Sequence, residues 1–202
     1  MFHRPTLVLS KHMQEIMIEQ FKQSLAASGF VGEIQSPVFG EGKQGAQIML
    51  VGEAPGKEET IQNRPFVGKA GKILDTFLEG VQLKRAELYI TNAVKYRPYK
   101  LNPRTGGKSN RTPGRKEIAF CNAFLLQELR EIAPKLVVTL GNVPLFAVTG
   151  RAEISSMHGQ LHDISGLLLF PLYHPASIIY NPSLLEVYNA DMVKLKEIVS
   201  FL

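Results

Sequence analysis

The sequence predicts an α/β fold whose parallel sheet is covered by helices on both faces. Two observations predict it. Short apolar runs of strand type alternate with amphipathic stretches of helical period, and two of those runs end in glycine, at Gly52 and Gly141. In sheets of this kind, ligands gather beyond the carboxyl ends of the strands. The loops after Gly52, Val94 and Tyr173 are therefore the ones expected to carry chemistry.

The elements follow in order. Residues 11–28 place Met13, Ile16, Met17, Phe21 and Leu25 at helical spacing, and Gly29 is the expected stop. A glycine-rich loop covers 40–45. Residues 47–52 form an apolar run that reads as a buried strand, followed by a polar stretch over 53–68. The segment 69–81 reads as an amphipathic helix with Ala70, Ile73, Leu74, Phe77, Leu78 and Val81 on one face. A second strand is expected over 88–94, where Tyr89, Ile90, Thr91 and Val94 favour extended chain. A long loop rich in proline and glycine precedes a helix over 115–132, with Ile118, Cys121, Leu125, Leu129 and Ile132 facing inward. The third strand is 136–141, a short helix spans 142–149, the fourth strand is 167–173, and the last helix runs over 183–201.

Composition narrows the class. A chain of 202 residues with 45% hydrophobic content suits a single domain, 1–202, with its own core. No apolar stretch approaches the ~18 residues needed to cross a membrane, so no membrane association is expected. The beginning, Met1 to Pro5, lacks the apolar core of a secretory signal. The lone cysteine, Cys121, excludes an internal disulfide and gives no zinc-site spacing. A reducing, cytoplasmic setting and a buried, small apolar role for Cys121 are expected. The net charge of +5 suits a polyanionic partner, and equally a surface of solvated lysines.

Four groups stand where chemistry is expected. In Gly52-Glu53-Ala54-Pro55-Gly56, the glycines let backbone approach a ligand and exposed N–H groups hold a carbonyl or anion. A tight turn with a solvated Glu53 explains the same residues. Phe66, between Pro65 and Gly68, is a core plug or a stacking platform. Asn92, near a strand end, offers donor and acceptor to a base edge, or caps a turn. His174, followed by Pro175 directly after a strand, sits on a rigid turn at the same sheet edge. Neither a Walker A loop nor a dinucleotide fingerprint is present, so no nucleotide cofactor is expected.

Together these segments resemble the uracil-DNA glycosylases, most closely the bacterial and archaeal branch called family 4. The resemblance runs through Phe39-Gly40-Glu41-Gly42, Val51 to Glu59, Arg64 to Gly71, Tyr89 to Lys95, Leu140-Gly141, His174-Pro175-Ala176 and Asn181-Pro182-Ser183. It implies a three-layer α/β/α sandwich with a central four-stranded parallel sheet, and hydrolysis of the N-glycosidic bond to uracil in DNA. Carried onto matching positions, it makes Glu53, Asn92 and His174 the catalytic residues. Gly52, Ala54, Gly56, Phe66 and Asn92 bind the substrate base. Ser177, Ile178 and Ile179 match the loop that enters the minor groove when the base leaves.

The chain also departs from that family, whose members usually hold an iron–sulfur cluster on four cysteines. Tyr96 stands at the third cysteine position and only Cys121 remains, so no cluster or other cofactor is expected. Ala54 replaces the water-activating aspartate of the best-known branch, and Tyr180 stands where relatives often have arginine. The loop 95–116 is longer than usual and holds eight basic residues and no acid. A charge run is usually a solvated face, but beside the implied DNA site Lys95, Arg97, Arg104, Lys108 and Arg111 are expected to contact phosphates from a mobile chain. Three functions stay open: a uracil-DNA glycosylase acting as a monomer, a glycosylase for hypoxanthine or xanthine, and a catalytically silent DNA-binding homologue.

Overall fold

The computed structural model describes residues 11–28, 36–151 and 153–202. In chain order the elements are α1 (Lys11–Ala27), β1 (Glu41–Gly42), β2 (Ile48–Gly52), α2 (Lys57–Gln62), α3 (Lys69–Gly80), β3 (Tyr89–Asn92), β4 (Tyr99–Leu101) and β5 (Lys108–Asn110). They continue with α4 (Arg115–Ile132), β6 (Leu136–Leu140), α5 (Asn142–Thr149), α6 (Ile154–Met157), β7 (His162–Ile164), β8 (Leu167–Leu172), α7 (Ser177–Tyr180) and α8 (Leu184–Val199). Gly29, the expected stop of the first helix, lies outside the described residues.

The parallel core of the sheet is β3-β2-β6-β8, as the four apolar runs predict. The sheet itself has six strands, because β1 adds antiparallel to β3 and β7 antiparallel to β8. These two edge strands correct the four-stranded expectation. They are short, and a brief polar edge limits pairing with another chain.

Strand residues alternate between two cores, so both faces are apolar. Met49, Val51, Tyr89, Val137 and Leu169 face a core built with α1, α4, α5 and α6. Ile48, Leu50, Ile90, Val138 and Phe170 face a second core with Leu74 and Leu78 of α3 and Tyr188, Met192 and Leu195 of α8. The result is helix, sheet, helix in layers. It brings the carboxyl ends of β2, β3, β6 and β8 to one edge, where Gly52 pairs in register with Asn92 and Leu140 with Leu172.

Among the described residues no helix is long and apolar enough to cross a membrane.

Candidate active site

The ladder between β2 and β3 runs on beyond the strands: Ala93 N–H donates to Gly52 O at 2.8 Å and Val94 N–H to Glu53 O at 3.0 Å. Beyond it opens a cavity of about 670 Å³ lined by Glu53, Ala54, Gly56, Phe66, Asn92 and His174, with Asn110, Arg111, Thr112, Ile179 and Tyr180 also on its walls. Gly52 lies beneath it. A β-carbon on Gly52 would overlap the Phe66 ring and the Asn92 Oδ1, so only glycine lets those two side chains meet over the strand end.

Phe66 is both plug and platform. Its side chain is buried in the second core and its ring also borders the cavity. Its backbone has φ 54°, unusual for an aromatic residue and worth about 1–3 kcal/mol of strain. Neighbours over-determine that conformation. Arg85 donates from Nη2 to Pro65 O at 2.7 Å and from Nη1 to Phe66 O at 3.3 Å, while pairing with Asp75 at 2.9 Å. Glu59 accepts from Val67 N at 3.1 Å, Gly68 N at 2.7 Å and Gly56 N at 3.1 Å, tying the Phe66 loop to the loop after β2. Sequence reasoning missed Glu59, whose partners are backbone amides.

Glu53 is half-buried, and burial raises its carboxyl pKa above the ordinary carboxylate value. Of the other carboxylates on the cavity wall, Glu59 is committed to amides and Glu58 is exposed. His174 follows β8. Its carbonyl accepts from Ser177 N at 2.8 Å and Ser177 Oγ at 2.7 Å, and its Nδ1 accepts from Ala176 N at 3.2 Å. An acceptor Nδ1 places the proton of the neutral ring on Nε2, and burial lowers the pKa, favouring that neutral form. The Phe66 and His174 rings stack at 29° with centroids 6.4 Å apart.

The expected minor-groove residues divide. Ser177 closes the turn against His174. Ile178 packs against the second core, whereas Ile179 is 52% and Tyr180 87% exposed, both on the cavity wall.

The basic segment 95–116, expected as a loop, contains regular structure. It folds into the hairpin β4–β5, with Tyr99 opposite Asn110, closed by Asn102, whose Oδ1 accepts from Arg104 N at 2.9 Å. Arg104 and Lys108 are exposed, and Lys108 lies over the Tyr99 ring at 4.5 Å. Arg97 is buried under the hairpin, donating to Asn110 Oδ1 at 2.7 Å and Lys108 O at 3.2 Å. Arg111 grips Glu117 through two hydrogen bonds, 2.6 and 2.9 Å. Lys95 corrects the phosphate expectation outright. Its side chain is fully buried, donating to Glu128 Oε2 at 2.5 Å, Thr91 Oγ1 at 2.9 Å and Asn92 O at 2.6 Å. No phosphate can reach it there; it holds the strand end that carries Asn92.

The residues present do not fit an iron–sulfur cluster. The chain has a single thiol. Cys121 is buried, its pKa pushed up to about 11 by burial, and it accepts the Lys95 N–H at 3.5 Å. The Tyr96 hydroxyl donates to Glu117 at 2.9 Å, and the Phe21 ring lies 5.1–6.3 Å from those of Phe39, Tyr96, Phe120 and Phe124. Protein purified anaerobically is expected to hold no stoichiometric iron; an absorbance band near 400 nm tracking with one iron–sulfur centre per chain would contradict this.

A model of the Uracil DNA glycosylase superfamily matches residues 39–196. The chain is 36% identical to a type-4 uracil-DNA glycosylase of Saccharolobus solfataricus, over 82% of this chain and 77% of that protein. It is 34% identical to the type-4 enzyme of Thermotoga maritima, over 94% of this chain and 96% of the other. Against the type-4 enzyme of Sulfurisphaera tokodaii the identity is 37%, over 80% and 74%. With its parallel sheet, its cavity at the carboxyl edge and these matches, the chain belongs to the uracil DNA glycosylase superfamily.

Proposed function

We propose that the protein is a uracil-DNA glycosylase, acting as a cytoplasmic monomer that hydrolyses the N-glycosidic bond of a uracil flipped out of DNA. The observation that carries this reading is the meeting of Glu53, Phe66, Asn92 and His174 around one cavity at the sheet edge. The relatives named as type-4 uracil-DNA glycosylases support it.

Each group has a physical task. Extruding the nucleotide costs a few kcal/mol, and stacking on Phe66 offsets about 1–3 kcal/mol of that. The Asn92 amide bonds the polar edge of the base. Bond cleavage leaves an oxocarbenium-like sugar and a uracil anion. The neutral His174 ring donates from Nε2 to the charge growing on uracil O2, an interaction worth roughly 3–4 kcal/mol in a site of this kind. With alanine at position 54, Glu53 takes the role of activating water, and as a carboxylate it also stabilises the sugar cation. No step passes through a metal.

Single-turnover cleavage of oligonucleotides carrying uracil, hypoxanthine or xanthine, single-stranded and paired, followed by alkali, tests this reading. Breakage at uracil alone or foremost is expected. Breakage only at hypoxanthine or xanthine would reassign the substrate, and none at all would leave a DNA-binding homologue.

The two adjacent isoleucines are expected to separate experimentally. Ile179→Ala should slow excision from duplex more than from single strands, because its exposed side chain fills the gap left by the flipped base. Ile178→Ala should instead lower the melting temperature, through the core contacts it loses. Equal effects of Ile179→Ala on duplex and single-stranded substrates would remove it from the wedge.

A further inference from the structure

Beside the base cavity lies a second one, of about 430 Å³, lined by Lys57, Thr60, Ile61, Arg97 and Lys108. Three of these five residues are cations and none is a carboxylate. Lys57 lines both cavities, so the two are neighbours. We propose that this second cavity is a phosphate subsite, holding one backbone phosphate of the DNA strand whose nucleotide enters the base cavity. The inference rests on the glycosylase reading and adds to it a fixed anchor for the strand.

Arg97 carries most of the case. It is only 9% exposed, and its hydrogen bonds go to neutral oxygens, Asn110 Oδ1 and the Lys108 carbonyl. Among the described residues no carboxylate pairs with it. A buried cation without a counter-charge costs free energy, and a phosphate oxygen supplies that charge where water is scarce. The planar guanidinium is already oriented by its two bonds, so little is lost in ordering it. Lys57 and Lys108 line the same space from α2 and the hairpin, beside Thr60, whose hydroxyl donates to the Gly56 carbonyl at 2.8 Å.

Geometry couples the two cavities. Asn110 accepts from Arg97 through Oδ1, and its Nδ2 lies 3.3 Å from where a β-carbon on Gly56 would stand, at the wall of the base cavity. One amide therefore links the phosphate subsite to the loop that frames the base. This is a positional clamp, which carries no sequence information.

The test is to measure binding of uracil-containing oligonucleotides in which one phosphate at a time, on either side of the uracil, is replaced by an uncharged methylphosphonate. Wild type and Lys57→Ala with Lys108→Ala are compared; both lysines are exposed, so the fold is kept. In wild type one position is expected to lose about tenfold or more in affinity, the effect of removing a charged hydrogen-bond partner. In the double variant, where Arg97 alone is left to meet the phosphate, that position should lose several-fold less than in wild type, while other positions keep their effects, and the slope of log K against log salt should flatten by about 1.8. Loss spread evenly over all positions, or unchanged sensitivity in the variant, overturns the subsite. At matched ionic strength, inorganic phosphate should compete with DNA for wild type more than for the variant. If free phosphate discriminates the two proteins and no methylphosphonate position does, the cavity is a free-anion site and the DNA assignment fails. Because the map is read by binding, it holds or fails independently of whether uracil is excised.

Discussion

Replacing His174 with alanine is expected to slow single-turnover excision of uracil by about 10²–10³-fold, the effect of losing one preorganised donor to a developing anion. Affinity for DNA should barely change, because the ring meets charge that exists only as the bond breaks. The structure prepares the ring for that moment. Two hydrogen bonds from Ser177 and one from Ala176 fix the turn, and Pro175 stiffens it. Gly141 lies close behind: with φ 99°, a β-carbon there would stand 3.3 Å from that of His174. His158, hydrogen-bonded to Asp191 at 2.6 Å, packs its ring on Tyr173, the residue before His174. His174→Gln, which returns one N–H donor, should recover part of the rate. The pH profile separates the roles. Burial raises the Glu53 pKa, so its protonation should draw the rate down at a pH above the ordinary carboxylate range. It lowers the His174 pKa, so protonation of the ring is pushed to a pH below the ordinary imidazole value. His174→Ala should keep the acid limb at a reduced rate, and Glu53→Gln should flatten it. Full activity in His174→Ala would remove the residue from the mechanism.

Much of the frame was legible in the sequence because period and burial coincide in it. The helix expected over 115–132 has those bounds, and the parallel strands were read from short apolar runs. Glu53, Asn92 and His174 were legible because each lies within two positions of a strand end, and Phe66 because it stands between Pro65 and Gly68 just before a helix. What escaped depends on partners distant in sequence or on groups other than side chains. The hairpin β4–β5 has no apolar alternation; it is held by Arg97 and Arg111 through Asn110 and Glu117. The helix α2 buries none of its residues, so its segment read as a polar stretch. Ile178 and Ile179 look equivalent in sequence, but adjacent residues on a helical turn point in different directions. Lys95 read as a surface cation because its residue type is usually exposed, and its partner lies 33 positions away.

That lysine gives the other large expected effect. Lys95→Met should destabilise the protein by about 3–5 kcal/mol, the cost of leaving a buried partner charge uncompensated, which for a chain of this length lowers the melting temperature by roughly 6–20 °C. The reason lies in how fully Glu128 is surrounded. Its Oε1 accepts from Gly40 N at 2.7 Å and from the Tyr89 hydroxyl at 3.0 Å; its Oε2 accepts from the Thr91 hydroxyl at 2.8 Å and from Lys95. Both members of the pair have no exposed side-chain surface. With the ammonium gone, the carboxylate keeps its neutral donors but loses its counter-charge, and must take a proton or draw in water. Glu128→Leu alone should be comparably harmful, because it strands the ammonium and three other donors. The double replacement should cost less than the sum of the singles, and that difference measures the pair itself. Catalysis should suffer too. Lys95 Nζ also holds the Asn92 carbonyl at 2.6 Å, so in folded Lys95→Met excision should slow more than DNA binding weakens. The phosphate-contact expectation for Lys95 predicts the reverse pattern: unchanged melting, weaker binding and a flatter salt dependence. A Lys95→Met protein that melts within about 2 °C of the parent would therefore sink the structural role, since a lost buried counter-charge cannot be that mild.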